Sequence, residues 1–499
     1  MAINEKQIRQ LMCKRQIIVY LSVFIFICYM QVAVAKAQAG LSEPLQQIIT
    51  QNKAEDAFWS ITVRDSSGKI IEAYNSQKLM RPASNLKLLT AATVLDELGA
   101  DFTYKTYMYG VGDQKQDVWD GNIIIRGMGD PSMSGRFYND DRLFVLEKFY
   151  SALQAMGIKK ISGNIIGNDS YFDEKPYPDG WSWDDLSFYY AVPISALSFN
   201  NNTVDLTVYA NGGVGNTPKI EWFPFDTDYV NFINEQSITP KNAEYDEYYR
   251  RLLGTNTIIL RSSLPQGYVE KEALSIQNPP LYFLDTIKKY LEDGGIAVEG
   301  DIILDSQIHN WANPRYKVLE VHESYPLKDL MQQLNKESDN FYAEMLLKTA
   351  AAERYNTQGT TDLGIALATN FARSQGLDVS KISMSDASGL SPKSLISTGD
   401  LSLLLASMQT HRAFEAFKNS LSEAGIDGSL KHRFQRGPLT GRLLAKTGYV
   451  SGVRTLSGYL TTSSSKRLSF SFATNHYTTT TSYVDSLHET LLEKLYTRY

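Results

Sequence analysis

Strand-like alternation at both ends of this 499-residue chain constrains its fold more than any other feature. The stretch AFWSITVRDSSGKIIEAYN (Ala57–Asn75) alternates around Asp65, Ser66, Ser67 and Gly68, and predicts two strands joined by a hairpin turn. Near the other end, GRLLAKTGYVSG, VRTLSGYLTT and RLSFSFATNH predict three more strands. Leu487, Leu491, Leu492 and Leu495 then recur at helical spacing and predict a closing helix. One antiparallel sheet drawn from both ends, with helices packed on it, gives an α+β class. Residues 40–103 and 320–499 are therefore expected to form a single split domain. Residues 104–319 are expected to be an insertion of one or two mostly β domains. They carry strand-like runs such as GNIIIRGMGDP, KISGNIIGNDSYFD and NNNTVDLTVYANGG.

Residues 1–39 stand apart. Lys6, Arg9, Lys14 and Arg15 precede a charge-free run from Gln16 to Ala35, which ends in small-x-small steps through Ala33, Ala35, Ala37 and Ala39. That layout predicts a signal peptide cleaved after Ala37 or Ala39, although a run of this length also suits a retained membrane anchor. Both cysteines, Cys13 and Cys28, lie inside it, so the processed chain would hold no disulfide, thiol nucleophile or cysteine metal site. Processing would leave 44 basic and 54 acidic residues, a net charge of −10, which argues against a nucleic-acid partner. The six histidines (His309, His322, His411, His432, His476, His488) are scattered, with no His-Glu-x-x-His, so no metal and no cofactor is expected.

Three short motifs carry the chemistry. Ser-x-x-Lys occurs at Ser66–Lys69, Ser84–Lys87 and Ser463–Lys466. The first and last fall in predicted hairpin turns. Ser84 instead follows Pro82 at the start of a helix whose apolar face is Leu88, Ala91, Ala92, Leu95 and Leu98. One helical turn sets Lys87 on the same face as Ser84. A serine hydroxyl needs a nearby base, and a desolvated lysine can supply one. Ser338-Asp339-Asn340 lies between two helical patterns; its plain role would be a cap or turn. Its hydroxyl could relay a proton and its amide could bind a carbonyl. Lys446-Thr447-Gly448 ends a predicted strand. A lysine and a threonine there could hold a carboxylate, while glycine lets backbone approach closely. The N–H of Tyr449 could then pair with that of Ser84 as an oxyanion hole.

In this order, Ser84-x-x-Lys87, Ser338-x-Asn340 and Lys446-Thr447-Gly448 resemble the penicillin-binding protein and serine β-lactamase superfamily. Ser338 lies 254 positions after Ser84, and that offset narrows the likeness. A long insertion there resembles the D-Ala-D-Ala carboxypeptidase/endopeptidase family, peptidase family S13, of the penicillin-binding protein 4 or DacB type. WDGNIIIRGMGDPSMSG, YAVPISALSFNNNTV, DASGLSPKSLIST and the run from DGSL through GRLLAKTGYVSG resemble further segments of that family. The likeness spans about residues 45–495. Two departures are Tyr449, where a small hydroxyl residue is common, and DGSL in place of Asp-Gly-Thr-Leu.

The resemblance implies a penicillin-binding/serine β-lactamase-like fold and a serine peptidase of the peptidoglycan stem peptide, acylated by β-lactams and needing no cofactor. It implies Ser84 as nucleophile and Lys87 as base. Ser338 and Lys446 would pass a proton to the leaving amine, and Asn340 would orient the acyl chain. Lys446 and Thr447 would bind the terminal carboxylate, while Gly448 and Tyr449 complete the oxyanion side. D-Ala as leaving group makes a carboxypeptidase; a cross-linking side-chain amine makes an endopeptidase. A serine β-lactamase and a non-catalytic wall-binding scaffold are the alternatives. The implied location is the periplasm, free or loosely membrane-associated, and a homodimer is compatible with the sequence. The closing helix lacks the basic amphipathic character of a surface anchor.

Overall fold

The computed structural model describes residues 40–225 and 227–499; the expected signal segment, residues 1–39, lies outside them. The two ends of the chain meet in one sheet. Its spatial order is Ile70–Tyr74, Phe58–Arg64, Arg467–Asn475, Val453–Thr461, Leu443–Val450 and Ser422–Glu423. Every neighbouring pair is antiparallel. Phe58–Arg64 joins the halves, in register from Phe58 opposite Asn475 to Arg64 opposite Ser469. The edge strand Ser422–Glu423 had no sequence signal, because two residues are too few to show alternation.

Alternate residues of Phe58–Arg64 serve opposite faces. Trp59, Ile61 and Val63 join a core with Leu45 and Ile49 of the helix Glu43–Thr50 and with Leu491, Leu492 and Leu495 of Thr481–Arg498. Ser60 and Thr62 turn the other way, where both hydroxyls meet that of Thr398 at 2.7 and 2.8 Å, at the start of the helix Thr398–Met408. Helices thus cover both faces. Arg467–Asn475 is accordingly buried at every position after its first rather than alternately.

The helix Lys87–Leu98 is buried well beyond its expected apolar face: Leu89, Thr90, Thr93 and Val94 are as hidden as Leu88 and Leu95. It packs among the helices Leu327–Lys336, Asn340–Tyr355 and Thr361–Ser374, so no side of its first two turns meets water. Each fully buried leucine contributes about 1.5–3 kcal/mol. That packing fixes the end of the helix on which Ser84 sits.

The excursion begins with the strand Lys105–Lys115, which pairs antiparallel with the returning strand Lys317–Glu323. The inserted sheet therefore continues past residue 319 to Glu323, because the returning strand keeps its hydrogen bonds to the departing one. Seven strands make this sheet, including Val118–Arg126 and Ile165–Asn168. A second excursion nests inside the first, where Thr203–Tyr209 lies between Lys219–Phe223 and Val269–Ser275. One continuous core runs from Ile123 and Ile125 through Leu206 and Val208 to Leu284 and Ile287 of the helix Pro279–Asp293. Among the described residues no helix is long and apolar enough to cross a membrane.

Candidate active site

Ser84 lies in a 3₁₀ turn, Ala83–Leu86, that runs directly into the helix Lys87–Leu98. The tighter pitch of such a turn eclipses residues three apart. Lys87 Nζ consequently donates to Ser84 Oγ at 2.9 Å. Ala83 holds a positive φ of 45° beside the serine, and its carbonyl oxygen touches Gly389 so closely that a β-carbon there would lie 1.9 Å away. Only glycine, at φ +82°, lets the Asp386–Gly389 turn come this near.

Lys87 has three N–H donors, and the fully buried ammonium uses all of them. Beyond Ser84 it donates to Asn340 Oδ1 at 2.6 Å and to the Ser388 carbonyl at 3.0 Å. Burial pushes its pKa down to about 8, against the opposing pull of the Asp386, Asp339 and Glu344 carboxylates. The Asn340 amide is oriented from its other end, where Nδ2 donates to the Tyr190 carbonyl at 2.8 Å.

Ser338 is a second strained residue, with φ 61°. Lys446 Nζ donates to its Oγ at 2.7 Å and to the Thr447 carbonyl at 2.8 Å. Burial first, then the charges of Lys87 and Arg454, push the Lys446 ammonium well below its usual range. Thr447 Oγ1 donates to Ser429 Oγ at 2.8 Å, so the serine of the DGSL segment supplies the hydroxyl that a threonine would. A β-carbon on Gly448 would lie 2.2 Å from Thr455 Oγ1, 2.8 Å from the Pro82 carbonyl oxygen and 3.1 Å from Ser84 N. Its absence lets the strand backbone lie against the Ser84 amide. Thr455 Oγ1 donates to the Pro82 carbonyl at 2.8 Å. Asn85, with its amide nitrogen toward the Lys446 carbonyl at 2.8 Å and its oxygen toward the Ser457 hydroxyl at 2.6 Å, ties the same two segments together.

Ser84, Ser338, Asn340 and Tyr449 open onto one cleft of about 1520 Å³, whose opposite wall brings Trp181, Trp183 and Tyr189 from the insertion. Lys87 and Lys446 lie buried beneath them, and Thr447 and Gly448 are buried in the strand between Lys446 and Tyr449. Tyr449 is 56% exposed at the rim. All eight sequence-selected residues are thus brought together. A hydroxyl beside a buried amine of lowered pKa, a second hydroxyl–amine pair and close backbone amides are the parts of nucleophilic acyl transfer. Among the described residues, carboxylates that could share a metal ion are those of Glu247, Glu270 and Glu272, none of which belongs to this group of eight.

Several contributors carried no sign of their role in the sequence. The carbonyls of Ser388 and Tyr190 are backbone atoms, which any side chain would carry. Glu344 did leave a trace, at i+4 from Asn340 on the same helix. It is buried, and its Oε1 accepts the Ala387 and Ser388 N–H groups at 2.9 and 3.0 Å, fixing the turn whose carbonyl meets Lys87. Burial pushes its carboxyl up to about 8. Asp386 stiffens that turn from within, accepting from Ser388 Oγ, Ser391 N and Ser394 Oγ at 2.7, 2.9 and 2.8 Å.

The chain has relatives among known proteins. The chain is 28% identical over 441 residues to the D-alanyl-D-alanine carboxypeptidase of Actinomadura sp. (strain R39), covering 84% of this chain and 78% of the relative. It is 27% identical over 423 residues to the D-alanyl-D-alanine carboxypeptidase DacB of Haemophilus influenzae, covering 83% and 84%. The crystal structure of penicillin binding protein 4 (dacB) from Haemophilus influenzae superposes with a TM-score of 0.80 at 24% identity, covering 91% of this chain and 100% of that one, and shares the fold. Residues 41–491 match the model of one family throughout, and the chain belongs to the D-Ala-D-Ala carboxypeptidase 3 (S13) family.

Proposed function

We propose that this protein is a penicillin-sensitive serine D-Ala-D-Ala carboxypeptidase, with DD-endopeptidase action on the same stem peptides of peptidoglycan. The observation that carries this reading is the buried Lys87 amine, 2.9 Å from Ser84 Oγ with its pKa lowered to about 8. Neutral Lys87 takes the Ser84 proton as Oγ adds to the carbonyl of the penultimate D-Ala. Negative charge gathers on that carbonyl oxygen, toward the N–H groups of Ser84 and Tyr449. Collapse breaks the amide, and the leaving amine takes a proton relayed through Ser338 and Lys446, which are 2.7 Å apart. The second N–H of Asn340 Nδ2, beyond the one given to Tyr190, reaches the acyl chain. The terminal carboxylate is held at Lys446 and Thr447, and its charge pulls the depressed Lys446 pKa back up on binding. Water then adds to the acyl-enzyme and frees Ser84.

A β-lactam offers the same carbonyl in a strained ring and leaves a slowly released acyl group on Ser84. Residues 40–104 and 324–499, on either side of the inserted strands Lys105–Lys115 and Lys317–Glu323, act as the catalytic unit, and residues 1–39 direct export to the periplasm. The direct test is D-Ala release from a synthetic stem pentapeptide beside cleavage of a cross-linked dimer, for wild type and Ser84→Ala. Release by wild type alone supports the reading; equal inactivity of folded wild type and variant overturns it.

A further inference from the structure

The insertion does more than wall the cleft. Resting on the reading of Ser84 as the acylated nucleophile, we propose that Asn201, seconded by the Tyr190 carbonyl, is a positioning residue through which the insertion holds Ser338-Asp339-Asn340 in its reactive geometry.

Ser338 adopts φ 61°, a conformation a serine keeps only when its surroundings over-determine it. Three partners bracket it through Asp339. One carboxylate oxygen accepts from Tyr342 N at 3.3 Å and caps the helix Asn340–Tyr355. The other accepts from Gln333 Nε2 at 3.1 Å, on the preceding helix, and from Asn201 Nδ2 at 3.1 Å, across from the insertion. The Tyr190 carbonyl, also from the insertion, holds Asn340 Nδ2 at 2.8 Å and so keeps Oδ1 on Lys87. Two struts from the insertion therefore meet the two residues following Ser338.

The strut is itself specially built. Asn200, Asn201 and Asn202 are all left-handed, with φ of 49°, 53° and 57°. Asparagine is among the few L side chains that tolerate this region. The outer two fasten the turn within the insertion. Asn200 Nδ2 donates to the Thr203 carbonyl at 3.0 Å, and Asn202 Nδ2 to the Pro193 carbonyl at 2.8 Å and to Ser198 Oγ at 3.0 Å. The middle one reaches out to Asp339. Losing its side chain removes one of the restraints on Ser338, whose Oγ must stay within 2.7 Å of Lys446 Nζ.

The test is the acylation rate of the full-length processed protein by benzylpenicillin, with kcat and KM for D-Ala release alongside. Asn201→Gly keeps the left-handed turn and deletes the strut. It should slow acylation and lower kcat at least about tenfold with little change in KM, the mark of misplaced reacting groups. Asn201→Asp sets a carboxylate against Asp339 and should be slower still. Combining Asn201→Asp with Asp339→Asn restores a donor–acceptor pair of reversed polarity and should recover much of that loss. Wild-type acylation rates in folded Asn201→Gly, or no recovery in the double variant, would overturn the strut. A wild-type protein that is not acylated at all would instead overturn the reading of Ser84.

Discussion

At the level of single residues, the proposed reaction turns on two buried lysines, Lys87 and Lys446. Lys87 must be neutral to accept a proton, and burial brings its pKa to about 8. Its folded pKa lies below the usual lysine value, so the reactive base form grows as pH rises. The acylation rate constant of Ser84 should therefore climb with pH and reach half its plateau near pH 8, measured by stopped-flow with a chromogenic β-lactam. Lys87→Met, of similar length but without the amine, should lower that constant by about 10²–10⁴. Gly448→Ala tests the close approach of strand and turn. Its β-carbon meets Thr455 Oγ1 at 2.2 Å, which must shift, and lies 3.1 Å from Ser84 N. Acylation should fall about 10²-fold or more, the cost of disturbing one oxyanion donor, with secondary structure retained by circular dichroism.

At the level of elements, the strands at both ends of the chain and the closing helix were legible because a periodic pattern lasted long enough. The hairpin around Asp65–Gly68 and the three closing strands are read from alternation, and the turn positions of Ser66 and Ser463 follow. Ser422–Glu423 was too short to read, and the return of the insertion at Glu323 depends on pairing with Lys105, which no local pattern records. The eight candidate residues that the fold gathers could be picked out because they sit in three short motifs, six of them by side-chain chemistry and Gly448 and Tyr449 by their place after Lys446 and Thr447. Their partners Ser388 and Tyr190 act through backbone carbonyls, so the segments DASGLSPKSLIST and YAVPISALSFNNNTV that hold them carried no sign of that role. The closing helix was legible from its leucines, but not its ionic fastening to the sheet. Asp485 accepts from Arg454 Nε and a terminal guanidinium nitrogen at 2.6 and 2.8 Å, and lies 2.8 Å from Arg433, all largely buried. Asp485→Ala strands the largely buried Arg454 guanidinium, leaves Arg433 to Glu489 alone at 2.8 Å, and should cost about 3–5 kcal/mol by urea unfolding. Ser84 in the folded fraction should still acylate at close to the wild-type rate.

At the level of the whole molecule, one sheet closed from both ends, with the helices packed on it, brings the three motifs together across an insertion that sends its own residues back into the cleft. The expected export segment carries both cysteines, Cys13 and Cys28. N-terminal sequencing of protein secreted to the periplasm should begin at Gln38 or Gly40, and its thermal midpoint should be indifferent to reductant; retention of Met1 would favour an anchor. The measurement that bears most directly on the central claim is the intact mass of the processed protein after exposure to benzylpenicillin, followed by mapping of the modified peptide, for wild type and Ser84→Ala. A long-lived adduct of one drug molecule, located on Ser84 and missing from the variant, is the result expected. Rapid drug hydrolysis without a lasting adduct would point to a β-lactamase. Folded wild-type protein that carries no adduct and leaves the drug intact would contradict the account altogether.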